Sequence, residues 1–318
     1  MTATKSFRYP RVSVLVLNWN NPGDTIECLQ SLRGVTYPNF TVVAIDNGSE
    51  DDSLAQLKKF QAANDDYGLV ILENGKNLGY AGGNNAGIRY ALDSRADYIW
   101  VLNNDTSVDP NVLNELVKEA EREPDIGMLA PAILFYDQPR LIWFGGTSDR
   151  SWRRMDKGFT DTCAYFKKRL TKDMVAEDVS FITGAAMLIR AADVRKVKGF
   201  DERFFLYFED TDLSLRFRKA GKRLRWVPRA RVWHKVSATS KRALGSPGLH
   251  YYHSRNILLL STKHGPFWMG FYRPLWSLYT LAKQVLKIAL GRNRDVSKAI
   301  AEGILDYYRR RLGKRGAH

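Results

Sequence analysis

Residues 98–110 read YIWVLNNDTSVDP. Five apolar and aromatic residues stop on Asn103, Asn104 and Asp105, and the chain restarts as a helix once Pro110 has set the first turn. A run this short and this continuously apolar predicts a strand covered on both faces, as in a parallel sheet. Its tip then carries a carboxylate and two amides where such sheets bind ligands, beyond the carboxyl ends of the strands.

The neighbouring sequence repeats that grammar. Runs at 12–17, 41–45, 69–72 and 126–130 predict further buried strands, and between them lie helix candidates at 24–33, 52–62, 81–93 and 110–122. The alternation implies an α/β fold, a mostly parallel sheet flanked by helices. Residues 137–176 are irregular and read as an inserted loop or hairpin region. Order resumes with an apolar segment at 181–189, a helix at 191–198, and a helix from about Asp210 to Ala220 that Gly221 ends. From 250 the pattern is helical to the end.

With 318 residues, 44% hydrophobic and 12% aromatic, the chain has ample material for a packed core. Cys28 and Cys163 have no CxxC spacing and suggest neither a disulfide framework nor a thiolate metal site, which fits a reducing compartment. The apolar stretch at 12–17 runs straight into NWNN without a small-residue cleavage site, so it predicts a strand and not a signal peptide, and the protein is expected in the cytoplasm. Charge is uneven. Residues 1–213 hold 25 Lys+Arg against 31 Asp+Glu, whereas 214–318 hold 24 against 3. A basic C-terminal third calls for a polyanionic partner, nucleic acid or an anionic membrane surface.

Five clusters carry chemistry. Asn103 and Asp105 are oxygen donors one residue apart, able to hold Mg²⁺ or Mn²⁺ against a diphosphate, or simply to make a turn. Asp46 ends a strand in AIDNGSEDDS, residues 44–53, where it can accept from a base or ribose; Gly48 allows a tight turn, and Asp51 or Asp52 can cap the next helix. In NLGYAGGNNAG, residues 77–87, Gly79, Gly82 and Gly83 lead into a helix and either admit an anion to its N-terminus or allow close packing, with Asn84 and Asn85 on the surface. Glu209, Asp210 and Asp212 open a helix whose buried face is Leu213, Phe217 and Ala220, directly after the aromatic wall FFLYF; a carboxylate against that wall is partly desolvated and a better base. His234 closes an apolar stretch as a structural residue or as part of an oxygen-rich metal site.

Taken in order, VSVLVLNWNN, VVAIDNGSEDDS, NLGYAGGNNAGI, YIWVLNNDT, TGAAMLIR, GFDERFFLYFEDTDLSLR and VWH resemble the inverting glycosyltransferase family 2, over roughly residues 10–235. The NND form, the GFDE block and YYHSRN at 251–256 resemble its rhamnosyltransferase-like branch. The resemblance implies a GT-A fold, Rossmann-like, over residues 1–249, with a nucleotide-sugar half at about 10–130 and an acceptor half at about 131–249, followed by a basic, helical C-terminal extension at 250–318.

It also implies roles. Asp46, with Leu17, Asn18 and Asn20, falls at the nucleotide pocket, joined by Asn77, Gly79 and Asn84. Asn103 and Asp105 take the outer positions of the family's DxD motif around Asn104, with Asp105 the principal metal ligand and His234 able to join it. Asp210 matches the general base and Glu209 its neighbour, while Gly184, Ala185 and Tyr207 approach the acceptor. Displacement at an anomeric carbon needs a base on the acceptor hydroxyl and a cation on the leaving diphosphate, on opposite sides of the sugar. Trp100, Trp143, Trp152 and the FFLYF rings are candidates to stack on sugars. The implied donor is dTDP-rhamnose, or a UDP-linked galactofuranose, hexose or N-acetylhexosamine, and the acceptor a glycan or lipid-linked glycan.

Residues 271–290 place apolar side chains at helical spacing, but Arg273, Lys283 and Lys287 interrupt any spanning segment. The segment reads as a helix lying on the inner face of the cytoplasmic membrane, or packing on the catalytic domain or on a second subunit of a homodimer. The rival reading as a nucleic-acid-binding protein lacks any recognisable motif beside its basic tail. A nucleotidyltransferase would need a glycine-rich, lysine-bearing N-terminal loop that is absent.

Overall fold

The computed structural model describes residues 9–146, 165–235 and 246–316. Trp152 and Cys163 lie outside them. Four strands, β1 (Val12–Asn18), β2 (Phe40–Asp46), β3 (Val70–Glu73) and β4 (Tyr98–Asn103), pair in parallel in the order β3-β2-β1-β4. β1, β2 and β4 are buried almost throughout, which is why their sequences show no polar alternation. Helices α1 (Pro22–Arg33), α2 (Ser53–Ala62), α3 (Gly79–Asp93) and α4 (Val112–Arg122) complete this half. In α4, Val112, Leu113, Leu116, Val117 and Ala120 form the buried stripe that the three-and-four spacing dictates.

Beyond β4 the sheet is mixed. β5 (Thr106–Val108), β6 (Ile126–Phe135), β7 (Ile142–Phe144), β8 (Glu177–Val179), β9 (Ala186–Arg190) and β10 (Arg223–His234) extend it, the order running β4-β9-β6-β10-β5. The sequence predicts mostly parallel pairing, and β9 departs from that by lying antiparallel between β4 and β6. The reversal puts the start of β9 against the end of β4, Ala186 opposite Leu102. β6 continues five residues past its predicted end, through Pro131, because β10 shifts register between Val227 and Arg231, where a residue without an N–H is tolerated.

Helices α5 (Ala191–Val197) and α6 (Glu209–Lys219) fall where predicted, although Ala220, expected on the buried face of α6, is exposed as its C-cap. The C-terminal segment forms α7 (Pro247–His264), α8 (Met269–Ala289) and α9 (Arg294–Tyr308), with Ser246 capping α7 by accepting from Leu249 N. A second core joins Phe204 and Phe208 to Ile257, Leu258, Leu260, Met269 and Ile304, so these helices pack on the aromatic loop before α6.

Candidate active site

Register aligns the polar strand tips. Asn18 pairs with Asp46 across β1 and β2, and Leu17 with Asn103 across β1 and β4. Asp46 is buried and accepts from Asn18 Nδ2 and Ser49 N, both at 3.1 Å. Asn18 in turn accepts from Thr25 Oγ1 at 2.8 Å, and Asn104 Nδ2 donates to that same hydroxyl at 2.9 Å. Thr25, on α1, thereby links three of the predicted nucleotide-side residues. Asn20, at φ 51°, accepts from Glu50 N and leaves its side chain at the exposed edge. Asp52 takes the N-cap position of α2 without a side-chain cap bond, and Asp51 accepts from Ser53 N instead.

The glycine-rich entry to α3 is built for packing. Gly79 sits at φ +73°, and an added Cβ would come within 2.4 Å of Phe205 O; at Gly83 it would meet Leu17 Cδ1 at 2.6 Å. The first N–H groups of the helix are already used: Leu78 N donates to Asn47 Oδ1, Gly79 N to Asn77 Oδ1 and Ala81 N to Phe205 O. An anion therefore finds few free donors there, and close approach of backbones explains the glycines. Asn84 and Asn85, expected on the surface, are buried; Asn84 Nδ2 bonds Tyr80 O, and Asn85 exchanges hydrogen bonds with the backbone of Phe200. Asn47, which the sequence reading did not single out, is the junction, since Asn74 Nδ2 and Leu78 N donate to it and it donates to Gly79 O.

On the other side of the rim, Gly184 and Ala185 lead into β9. Gly184 N donates to Asp210 Oδ2 at 3.0 Å, while Ala185 O accepts from Asn103 N at 2.9 Å. Two consecutive residues thus join the start of α6 to the tip of β4. Tyr80 Oη donates to Gly184 O at 2.6 Å and occupies the space that a Cβ on Gly184 would need. Burial pushes the Tyr80 hydroxyl well up, and the charges of Glu209, Asp210 and Asp105 raise it further.

Asp210 is half-buried, its second oxygen held by Thr211 N at 2.6 Å. The desolvation expected of a carboxylate in this cluster falls on Glu209, which is buried with Oε2 lacking a partner; burial, and then the charge of Asp210, push its carboxyl well above the usual range. Asp212 points away, to Arg216, Lys263 and His264.

Asp105 and His234 are both buried, and His234 Nε2 stands 3.0 Å from Asp105 Oδ1. The contact is close but misaligned, so both imidazole nitrogens remain without a hydrogen-bond partner. β10 delivers the histidine by pairing with β5, His234 opposite Thr106. Among the described residues no group of three or more His, Cys, Asp or Glu side chains stands ready to hold a metal ion. An imidazole without a hydrogen-bond partner beside a carboxylate, with too few protein ligands to close a coordination sphere, fits a hard divalent cation that shares its sphere with a bound diphosphate.

The aromatic candidates divide. Trp100 is wholly buried in the core and faces no ligand. Trp143 lies edge-on to His234 with centroids 4.6 Å apart. Phe205 stacks on Tyr252, and Tyr207 meets His253 edge-on. Phe205, Tyr207 and Phe208 all have positive φ, 63°, 69° and 72°, a strained run for bulky residues. Two fully buried residues of α7 hold it. Asn256 Nδ2 donates to Phe204 O, Leu206 O and Tyr207 O at 2.8 to 2.9 Å, and Arg255 donates to Arg203 O, Phe204 O and Gly313 O. YYHSRN was legible as a motif, but its task could not be read without the fold. A cleft of about 800 Å³ lined by Arg95, Asp97 and Arg190 lies at the opposite, N-terminal end of β4 and has no part in this arrangement.

Residues 13–198 match the family described as Glycosyl transferase family 2. The N-acetylglucosaminyl-diphospho-decaprenol L-rhamnosyltransferase of Mycobacterium tuberculosis is 30% identical over 310 residues, covering 89% of this chain and 95% of the relative. The rhamnosyltransferase WbbL of Escherichia coli is 25% identical over 61% of this chain and 82% of its own length. Among solved structures, the mannosyltransferase PcManGT from Pyrobaculum calidifontis, in complex with GDP-Man and Mn²⁺, superposes with a TM-score of 0.58 at 14% identity, over 95% of this chain and 88% of that one. The fold is that of GT-A glycosyltransferases. The chain belongs to glycosyl transferase family 2 and is a rhamnosyltransferase-like glycosyltransferase. This sets aside the nucleic-acid-binding and nucleotidyltransferase readings of its charge and sheet.

Proposed function

We propose that the protein transfers rhamnose from dTDP-rhamnose to a lipid-linked glycan by direct displacement with inversion, on the cytoplasmic side of the membrane and in the service of cell-wall or surface-polysaccharide assembly. Asp46, Leu17, Asn18 and Asn20 form the nucleotide pocket, with Asn103 and Asn104 towards the ribose; Asn77, Gly79 and Asn84 shape it from behind through their bonds within the entry to α3. Asp105 and His234 hold Mg²⁺ or Mn²⁺, which when bound neutralises charge on the leaving diphosphate. Asp210 takes the proton of the acceptor hydroxyl, and Glu209, retaining its own proton, keeps a second negative charge away from that base. Gly184, Ala185 and Tyr207 border the acceptor.

The observation that carries this reading is the pair of bonds through Gly184 and Ala185, which ties the base to the strand that leads into the metal residue. A base and a leaving-group site sharing one wall can flank a single sugar. The choice of rhamnose follows from the two relatives, and the lipid-linked acceptor from the name of the mycobacterial one.

The test is a panel of nucleotide sugars with Mg²⁺ or Mn²⁺. A donor present at 100 times its Kd stabilises the fold by about 2.7 kcal/mol. dTDP-rhamnose should raise the melting temperature most and be turned over to dTDP without pyrophosphate. Stabilisation and turnover with a UDP-sugar alone would refute the rhamnosyl assignment, and release of pyrophosphate would refute the mechanism.

A further inference from the structure

The helix α8 has a packed side and an exposed apolar side. One packs inward, where Met269, Ser277 and Gln284 are buried. The other faces out: Phe271 is 74% exposed, Leu275 66%, Leu278 68% and Val285 64%, and Leu286 and Leu290 continue the same stripe. At 1.5 Å per residue the stripe from position 271 to position 290 is about 28 Å long. Phe267 and Trp268 extend it at one end. Among the described residues, nothing packs over it. A contiguous apolar face of this extent on a charged protein marks an interaction surface.

The charge around it selects the partner. The sequence has no Asp or Glu between Asp212 and Asp295, while Lys283 is exposed beside the stripe, Lys287 stands half-exposed one turn on, and Arg292 and Arg294 follow its end. A second copy of the chain would bring cations against cations across a face with no acid to meet them. Among the described residues no helix is long and apolar enough to cross a membrane. An apolar stripe bordered by basic side chains that can reach outward while their stems lie flat fits the interface of an anionic bilayer.

We propose that the outward face of α8 docks the enzyme on an anionic membrane surface, with Phe267, Phe271, Leu275, Leu278 and Leu286 among the acyl chains and Lys283 and Lys287 at the headgroups. The docked helix belongs to the same three-helix unit whose Arg255 and Asn256 hold the loop before Asp210, so the membrane plane and the acceptor side of the site are rigidly related. The proposal rests on this surface alone and stands whichever sugar is transferred.

Flotation of the full-length protein with vesicles of phosphatidylglycerol and phosphatidylcholine, against phosphatidylcholine alone, tests it. The wild type should float with the anionic vesicles and lose binding as salt rises. Leu278→Ser with Leu286→Ser should lower the partition coefficient at least tenfold, and Lys283→Gln with Lys287→Gln about fivefold for each charge on anionic vesicles only. Melting temperature and donor hydrolysis in solution, unchanged in these variants, separate loss of docking from loss of fold or of the reaction. Equal flotation of wild type and variants overturns the proposal. So does a concentration-dependent dimer in sedimentation that the serine substitutions abolish without any vesicle binding, which would assign the face to a second copy.

Discussion

At the scale of single residues, the two neighbouring carboxylates of α6 have been given different environments by one residue of offset. Asp210 is held by two backbone N–H groups, Gly184 N and Thr211 N, whereas Glu209 is buried with an unpaired oxygen. Asp210→Asn should lower turnover by about 10²–10⁴-fold, as removal of a proton acceptor does, with donor binding by calorimetry nearly unchanged. Glu209→Gln imitates a protonated Glu209 and should keep turnover within about tenfold of wild type. Its stability should respond to pH in a predictable sense. A carboxyl raised in the folded state favours folding fully below its unfolded pKa and loses that contribution as pH rises through the folded value. The melting temperature of the wild type should therefore fall relative to Glu209→Gln as pH is raised above the ordinary glutamate range, and parallel curves would contradict the buried-acid description.

At the scale of elements, the loop from Phe204 to Phe208 is the least self-sufficient part of the site. Three bulky residues at positive φ do not hold that shape alone; α7 imposes it through Asn256 and Arg255. Asn256→Ala leaves buried carbonyls without donors, each costing about 1–3 kcal/mol. It should lower the melting temperature and reduce kcat far more than it changes donor affinity, because the base side of the site relaxes while the strand tips stay fixed. Gly79→Ala attacks the same loop from the other side, since its methyl group would collide with Phe205 O. It should resemble Asn256→Ala in the balance between kcat and donor affinity, measured by initial rates at saturating acceptor. Equal losses in both parameters would place the damage in the nucleotide pocket instead.

At the scale of the whole molecule, the C-terminal helices are fastened to the catalytic half by buried charge as well as by apolar packing. Asp212 lies within reach of Arg216, Lys263 and His264. Burial alone would push its carboxyl up, but His264, Arg216 and Lys263 together hold it below the usual range. A lowered folded-state pKa contributes stability above the unfolded value and loses it as pH falls through the folded one. Acidification below about pH 4 should thus loosen the α6–α7 junction, and Asp212→Asn should be less stable at neutral pH and show a flatter acid limb in thermal denaturation. The amino-acid sequence determined by itself the buried strands of the first half, the helices between them and the order of polar strand tips, because burial on two faces and the period of 3.6 leave local marks in composition; the short strands β5, β7 and β8 and the long β10 it did not mark. It also carried the family, because ordered short motifs survive as strings. Only the tertiary structure decided that β9 runs antiparallel, that the glycines of α3 serve packing, that Glu209 is the buried carboxylate of its cluster, and that YYHSRN braces the aromatic loop. Each of those depends on which distant segment arrives alongside, and a chain's neighbours in space leave no period in its sequence.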